Sequence, residues 1–252
     1  INSLSDEIEK AGYFLMLKKV KEIMATVSFA SMWNMDGMIL LGFCADEYQL
    51  LRDRIRIPFV VYDGFFENDR NICNLMLDDH DGGKQVGKYL RGHNCLNVLF
   101  MADNRLSPDL DRYKGLCDGL GRKADFWEIP MYKEERIIYY TCRVKEFAGY
   151  GAVFAASDYY AIELLYFLMD NGYKVPDDIW IIGFDDITEC VNVRPTLASV
   201  RQDVSYRARK AVEYLTCMKK DNDCSVTEKI SVEFIPRDSC IQQPELSTVR
   251  NR

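Results

Sequence analysis

Acidic, hydroxyl and guanidinium side chains in this sequence stand where predicted strands end and helices begin. Asp63, Ser157 and Asp185 each come directly after a short apolar run, and Arg112 lies at the start of a predicted helix. In open α/β sheets, ligands bind beyond the carboxyl ends of the strands, so we expect these side chains to meet a ligand. Carboxylates accept hydrogen bonds and a guanidinium donates several, which suits the vicinal hydroxyl groups of a polyhydroxylated small molecule.

Each of these residues also has an ordinary structural role as an alternative. A single such residue is more typical of a helix cap or a surface ion pair, and it is the recurrence at four positions that favours a site. Asp185-Asp186 also allows a magnesium-binding carboxylate pair, as in phosphoryl-transfer enzymes. A strand-end carboxylate that binds a ligand or caps a helix is the favoured interpretation of this pair.

Signatures of other enzyme classes are missing from the sequence. It contains neither the dinucleotide fingerprint G-x-G-x-x-G nor the phosphate loop G-x-x-x-x-G-K-S/T. Ser157 lies in Ala-Ala-Ser-Asp-Tyr rather than in G-x-S-x-G, and both histidines, His80 and His93, precede it. The nine cysteines include no C-x-x-C pair. We therefore expect no enzyme, no cofactor and no metal site.

The amino-acid composition limits the classes of partner and the compartment expected for this chain. Its 39 Asp and Glu against 32 Lys and Arg give a net charge of −7, which argues against nucleic-acid binding by these residues. No apolar run approaches the roughly 20 residues of a membrane-spanning helix. The nine scattered cysteines are an odd number and favour buried thiols in a reducing cytoplasm.

Short apolar runs alternate with amphipathic stretches along the chain, which predicts an α/β fold with doubly wound parallel sheets. Helices are predicted after Ser157, ending at Asn171-Gly172, and over Gly82–Arg91 and Val204–Lys219. Six runs are predicted strands: Tyr13–Leu17, Gly37–Gly42, Phe59–Tyr62, Asn97–Met101, Ala152–Ala156 and Ile179–Phe184.

The first residues suggest that a strand is missing before them. Ser3–Ala11 reads as the tail of a helix closed by Gly12, and a doubly wound sheet normally places a strand before such a helix. Leu17 then runs into Lys18-Lys19 with no turn residue between them. We expect that the first strand, and a segment near residue 17, are absent from the chain.

Several blocks of this sequence resemble the effector-binding core of the lactose-repressor and galactose-repressor family of bacterial transcription regulators, which is related to periplasmic sugar-binding proteins. The similarity extends over nearly the whole chain. The matching blocks are Pro58–Asp63, Asp78–Val86, Arg112–Gly115, Ala155–Ala161, Gly172–Asp186 and Arg194–Gln202.

The resemblance implies a periplasmic-binding-protein-like fold of type I, with two subdomains joined by several chain crossings. It predicts an N-terminal subdomain of residues 1–77 with 200–226, and a C-terminal subdomain of residues 78–199 with 227–252. It also implies that Asp63, Arg112 and Asp185 hydrogen-bond the effector. Ser157 stands where the family often has Asn, and Tyr132 or Trp127 is expected to stack on a sugar ring, with a buried packing role as the alternative.

The implied function is effector sensing, with a sugar or a related metabolite as the effector. In this family, lobe closure on the effector alters operator binding by a homodimer whose separate N-terminal helix-turn-helix domain contacts DNA. We therefore expect a cytoplasmic transcription regulator or repressor core, with no membrane partner. The alternatives are a solute-binding receptor of a sugar transporter and, less favoured, a metal-dependent phosphotransfer enzyme.

Overall fold

Two separate β-sheets organise the chain in a computed structural model, which describes residues 2–19, 23–41, 45–65, 72–104, 107–220 and 225–241. Each sheet belongs to its own unit. Unit 1 comprises residues 1–78 and 203–231, and unit 2 comprises residues 79–202 and 232–252. The α/β fold with parallel sheets that the sequence predicts is confirmed.

Unit 1 contains a four-stranded parallel sheet in the order β1-β2-β3-β9. Its strands are β1 (Met38–Leu41), β2 (Phe59–Tyr62), β3 (Ile72–Leu77) and β9 (Val226–Ile230). Its helices are α1 (Asn2–Lys10), α2 (Ile23–Met32), α3 (Ala45–Arg54) and α8 (Val204–Lys220). Its core joins buried side chains of the sheet to those of α3 and of the residue that follows it: Leu40, Leu51, Ile55, Phe59, Val61 and Ile72.

Unit 2 contains a six-stranded sheet in the order β10-β8-β7-β6-β4-β5, in which only β10 is antiparallel to its neighbour. Its strands are β4 (Val98–Ala102), β5 (Asp125–Glu128), β6 (Ala152–Ala155), β7 (Trp180–Asp185), β8 (Ala198–Gln202) and β10 (Val232–Ile235). Its α-helices are α4 (Asp79–Gly92), α5 (Asp109–Leu120), α6 (Lys133–Arg143) and α7 (Asp158–Asp170). Two 3₁₀-helices, Val144–Gly149 and Thr188–Val191, complete the unit.

The central strands explain the continuous apolar runs of the sequence. All residues of β2, β4 and β6 are buried, as expected of parallel strands with both faces covered. The helix predicted after Ser157 is α7; the Ser157 hydroxyl caps it, and left-handed Gly172 follows its end. No helix among the described residues has both the length and the apolar character that a membrane span requires.

The strand predicted over Tyr13–Leu17 is wrong. These residues follow α1 without regular secondary structure, and the Phe14 and Leu17 side chains are 96% and 71% exposed. A strand is stabilised by hydrogen bonds to a neighbour, and no described strand pairs with this run. An apolar run alone therefore does not determine a strand here.

The chain passes between the two units after residues 78, 202 and 231. Residues 200–202 stay in unit 2 because they belong to β8, which pairs with β7. Residues 227–231 stay in unit 1 because β9 pairs with β3. Strand pairing therefore assigns these two short segments to their units.

Helices α4 and α5 of unit 2 approach each other closely at glycines. A Cβ on Gly83 would collide with the carbonyl oxygen of Arg112, and a Cβ on Gly115 would collide with the carbonyl oxygen of His80. The colliding atoms are backbone, so a side chain could not move aside to make room. This approach brings the first turns of the two helices together and sets the position of Arg112 relative to Asp79.

We expect Gly83→Ala and Gly115→Ala to destabilise unit 2 by about 3 kcal/mol or more, because the added methyl groups overpack a backbone contact. The measurement is urea unfolding followed by circular dichroism. Gly92→Ala is the matched control, since a Cβ there meets nothing within 4 Å. Equal unfolding midpoints for Gly83→Ala and Gly92→Ala would contradict the proposed role of the helix contact.

Candidate effector-binding site

Arg112 is the central polar residue of unit 2. It lies in the first turn of α5, and the residue is only 6% exposed. Its Nε donates to Asp79 Oδ1 at 2.7 Å and its Nη1 donates to the carbonyl oxygen of Ala156 at 2.6 Å. Its guanidinium carbon lies 3.7 Å from the ring centroid of Phe184, an arrangement that allows a cation–π interaction. The second terminal nitrogen, Nη2, donates no hydrogen bond to any described residue.

Three carboxylates keep this buried guanidinium charged. Burial opposes the positive charge, but the negative charges of Asp79, Asp185 and Asp109 outweigh burial and raise the pKa of Arg112. Asp109 lies 3.6 Å from Nη1. Its own burial raises the pKa of Asp109 to about 6, even though Arg112 opposes that shift. The cluster therefore combines a fixed cation with one carboxyl group that titrates near neutrality.

Asp185 ends β7 beside this cluster. Its Oδ1 accepts a hydrogen bond from Gln202 Nε2 at 2.8 Å. Its backbone φ is +114° and that of Asp186 is +53°, a region that residues other than glycine rarely adopt. Strained backbone of this kind persists only where surrounding contacts hold it, and it concentrates at functional sites. The strand end is therefore held in a defined conformation that orients the Asp185 carboxylate.

The carboxylate of Asp186 already has partners within the protein. Arg201 Nε and Arg237 Nη2 each lie 2.6 Å from one of its carboxylate oxygens, and its backbone N–H donates to Ser199 Oγ. Two guanidinium partners leave this carboxylate poorly suited to a magnesium ion. Among the described residues, no cluster of three or more His, Cys, Asp or Glu could hold a metal. The geometry does not favour the phosphotransfer interpretation of Asp185-Asp186.

Ser157 follows β6 and has a structural role in α7. Its Oγ accepts the backbone N–H of Tyr160 at 3.5 Å, so the helix-cap alternative applies to it. The next residue, Asp158, is fully buried and accepts hydrogen bonds from Ser199 Oγ at 2.6 Å and the Ile187 N–H at 2.9 Å. Burial raises the pKa of Asp158 to about 6 against these donors. Asp158, which stands beside Ser157 after β6, ties α7 to the segment after Asp185.

The two aromatic candidates have different environments. Tyr132 is the residue before α6, and it is 65% exposed. Trp127 on β5 packs edge-on against Phe147, Tyr150 and Tyr139, which is the packing role that the sequence allowed as its alternative. Tyr132 therefore stays the predicted stacking residue, and Trp127 contributes to the core.

In unit 1, Asp63 follows β2 with a left-handed backbone of φ +53°. Its Oδ1 accepts from Arg207 Nη2 at 2.7 Å. Arg207 is buried, stacks over the Tyr62 ring with its guanidinium carbon 4.0 Å from the centroid, and also donates to the Leu75 carbonyl. Sequence reasoning missed Arg207, because it lies on α8, 144 residues from Asp63 and outside every block of the family resemblance.

The structure thus places the predicted residues beyond the carboxyl ends of parallel strands, in unit 2 and in unit 1. Arg112 and Asp185 share one electrostatic cluster in unit 2, and Ser157 follows the neighbouring strand β6. Asp63 belongs to unit 1. A guanidinium donor beside carboxylate acceptors at such a sheet edge can bind a ligand whose hydroxyl groups both donate and accept.

Comparison with known proteins identifies the class. Residues 91–240 match the family model of the periplasmic binding protein-like domain. The chain belongs to this family. Its relatives include MalR of Clostridium butyricum, named an HTH-type transcriptional regulator, which is 34% identical over 261 residues, or 95% of this chain and 76% of MalR. The resemblance to the repressor family is confirmed.

GalR of Streptococcus thermophilus, also named an HTH-type transcriptional regulator, is 48% identical over 196 residues, or 71% of this chain and 57% of GalR. Among solved structures, a LacI family transcriptional regulator from Enterococcus faecium with bound ribose superposes with a TM-score of 0.82 at 19% identity. The superposition covers 94% of this chain and 91% of that one. Another, from Alkaliphilus metalliredigens in complex with D-xylulofuranose, gives a TM-score of 0.82 at 22% identity, covering 96% and 92% of the two chains. These two structures support the fold.

The raised pKa of Asp109 predicts a pH dependence of stability. An aspartate in an unfolded chain has a pKa near ~3.9, whereas that of native Asp109 is about 6. Between these values the native state binds more protons than the unfolded state, so the contribution of Asp109 to stability falls as pH rises through 6. We expect Asp109→Asn to gain stability relative to the native protein as the pH rises. The free energy of unfolding of the variant minus that of the native protein should be larger by about 1–3 kcal/mol at pH above ~7.5 than at pH ~4.5.

Urea unfolding at these two pH values measures the effect. Asp111→Asn is the matched control, because Asp111 lies on the same helix with its side chain 41% exposed. The carboxyl group of Asp158 titrates in all three proteins, so its contribution cancels in the comparison. An identical pH dependence for Asp109→Asn and the native protein would show that Asp109 does not titrate in this way.

Proposed function

We propose that this chain is the effector-sensing core of a bacterial transcription regulator, and that it binds a sugar or a related polyhydroxylated metabolite. The observation that carries the proposal is the Arg112–Asp185 cluster at the carboxyl end of the unit 2 sheet. A cation and a carboxylate are held there by buried contacts, and Arg112 Nη2 donates to no described residue. Such preorganisation lowers the entropic cost of binding a small polar ligand.

Each site residue has a defined role in this proposal. Arg112 donates from Nη2 to a hydroxyl oxygen of the effector, and the Asp185 carboxylate accepts from a neighbouring hydroxyl group. Asp63, oriented by Arg207, offers a second carboxylate acceptor. Ser157 contributes its hydroxyl group beside its capping role, and Tyr132 supplies an aromatic face for the C–H groups of a sugar ring.

The solved relatives support a sugar as the effector class. Solved structures of the same fold contain bound D-xylulofuranose, ribose and, in the regulator CelR, cellobiose. Pentoses and a disaccharide share vicinal hydroxyl groups, the chemistry that the Arg112 and Asp185 side chains match. The relatives named as transcriptional regulators favour a sensing role over that of a transporter receptor.

Regulation requires thermodynamic coupling between effector binding and operator binding. An effector alters operator binding only if it binds two states of the regulator with different affinity. We propose that operator DNA is contacted by a separate N-terminal domain, consistent with the net charge of −7 in this chain. The protein is then cytoplasmic, works as a homodimer and has no catalytic activity of its own, and its cysteine content suits a reducing compartment.

The first test is a thermal-shift screen against ribose, xylulose, cellobiose and related sugars. We expect at least one sugar to raise the unfolding midpoint, because a ligand that binds the native state stabilises it by mass action. Asp185→Asn should abolish the shift while the fold survives, since asparagine tolerates a left-handed backbone better than alanine. Arg112→Met should abolish the shift and also lower the midpoint without sugar, because it leaves buried carboxylates without their cation.

Asp118→Asn is the control, since Asp118 lies on the same helix as Arg112 with its side chain 61% exposed. It should bind the sugar like the native protein. A sugar shift that persists in Asp185→Asn would remove this residue from the site. A panel without any shift would contradict a sugar effector.

The second test is the oligomeric state. We expect sedimentation at micromolar concentration to give twice the 29.2 kDa mass of one chain, because regulators that bind two operator half-sites are two-fold symmetric. A mass that stays at one chain over the whole concentration range would contradict a dimerising core.

A further inference from the structure

Unit 2 contains a cavity at the amino ends of strands β4, β6 and β7. It is separate from the cluster of Arg112 and Asp185, which is called the effector cluster below. Its walls include Cys95 before β4, Gly151 before β6, and Trp180 at the start of β7. Arg112 and Asp185, in contrast, lie beyond the carboxyl ends of the strands. The cavity measures about 460 Å³, within the range of about 300–1,000 Å³ typical of small-molecule sites.

Three aromatic rings form one wall of this cavity. The Tyr89 and His93 rings lie 4.3 Å apart between centroids, and the Trp180 ring lies 6.2 Å from Tyr89 and 5.6 Å from His93. The face of an aromatic ring carries partial negative charge and attracts cations. Trp180 is almost fully buried, so packing in the core fixes the position of its ring in this wall.

The polar groups of the cavity are predominantly acceptors. Asp177 and Asp178 contribute carboxylates, and neither lies within ion-pair distance of a described lysine or arginine; Asp178 accepts the backbone N–H of Lys174. His93 Nδ1 lies 2.9 Å from the Tyr89 carbonyl oxygen, which can only accept, so Nδ1 is the donor of this hydrogen bond. Among the residues that the structure describes, the lining of the cavity includes no lysine or arginine.

The two cysteines of the lining do not offer a reactive thiolate. Burial raises the pKa of Cys95 to about 11, and burial also raises the pKa of Cys240. Both thiols stay protonated near neutral pH and behave as apolar wall. The ligand is therefore held by noncovalent contacts.

We propose that this cavity binds a small organic cation bearing ammonium or guanidinium groups. The Asp177 and Asp178 carboxylates accept its N–H groups, and the aromatic wall attracts its charge. A hydroxylated neutral ligand matches this lining less well, because it needs donors as well as acceptors. The site is separate from the effector cluster and responds to a different class of molecule.

The test uses agmatine, which carries a guanidinium and an ammonium group on a four-carbon chain, in isothermal titration calorimetry at low ionic strength. We expect saturable binding to the native protein. Asp177→Asn should weaken it by about three- to tenfold, because a charge-assisted contact is replaced by a neutral one. Asp177 is exposed, so this variant keeps the fold. The neutral analogue 1,4-butanediol should not bind.

Two further variants complete the design. Asp170→Asn removes an exposed carboxylate outside the cavity and should bind agmatine like the native protein. Asp185→Asn should also leave agmatine binding unchanged, since it alters only the effector cluster. The proposal is overturned if the native protein shows no saturable binding, if Asp177→Asn and Asp170→Asn bind agmatine equally, or if 1,4-butanediol binds as well as agmatine.

Discussion

A cation buried among carboxylates is the constraint on which the site of unit 2 depends. The Arg112 guanidinium is stable there only because Asp79, the Ala156 carbonyl and the Phe184 ring surround it. Removing one partner of such a group leaves an uncompensated charge, so the surrounding helices and strands are held in one arrangement. The burial of Arg112 also requires the close glycine contacts between α4 and α5, because these contacts bring Asp79 within hydrogen-bond distance of Arg112.

Much of the fold could be predicted because central parallel strands are apolar on both faces. The runs that became β2, β4, β6 and β7 are continuous in the sequence and buried in the structure. β9 could not be predicted in this way, since Val226–Ile230 reads Val-Thr-Glu-Lys-Ile, with three consecutive polar residues in a strand at a sheet edge. Tyr13–Leu17 shows the opposite error, an apolar run without a strand partner.

The site was predictable where one local feature identified a residue. Asp63 and Asp185 stand at strand ends, and both adopt left-handed backbone that Asp tolerates better than most residues. The structural roles of Arg207 and Asp158 could not be predicted from local sequence, because they depend on contacts with segments 144 and 41 residues away, Asp63 and Ser199 respectively. Long-range pairing of buried polar groups is the information that a single sequence does not display.

The consecutive strands β9 and β10 have a consequence for biosynthesis. Only Ser231 separates them, yet β9 completes the sheet of one unit and β10 completes the sheet of the other. During translation, β3 and β8 therefore each keep an unpaired edge until β9 and β10 have left the ribosome. Open edges of this kind can pair with other nascent chains, so both units are exposed to aggregation until synthesis of the same short segment is finished.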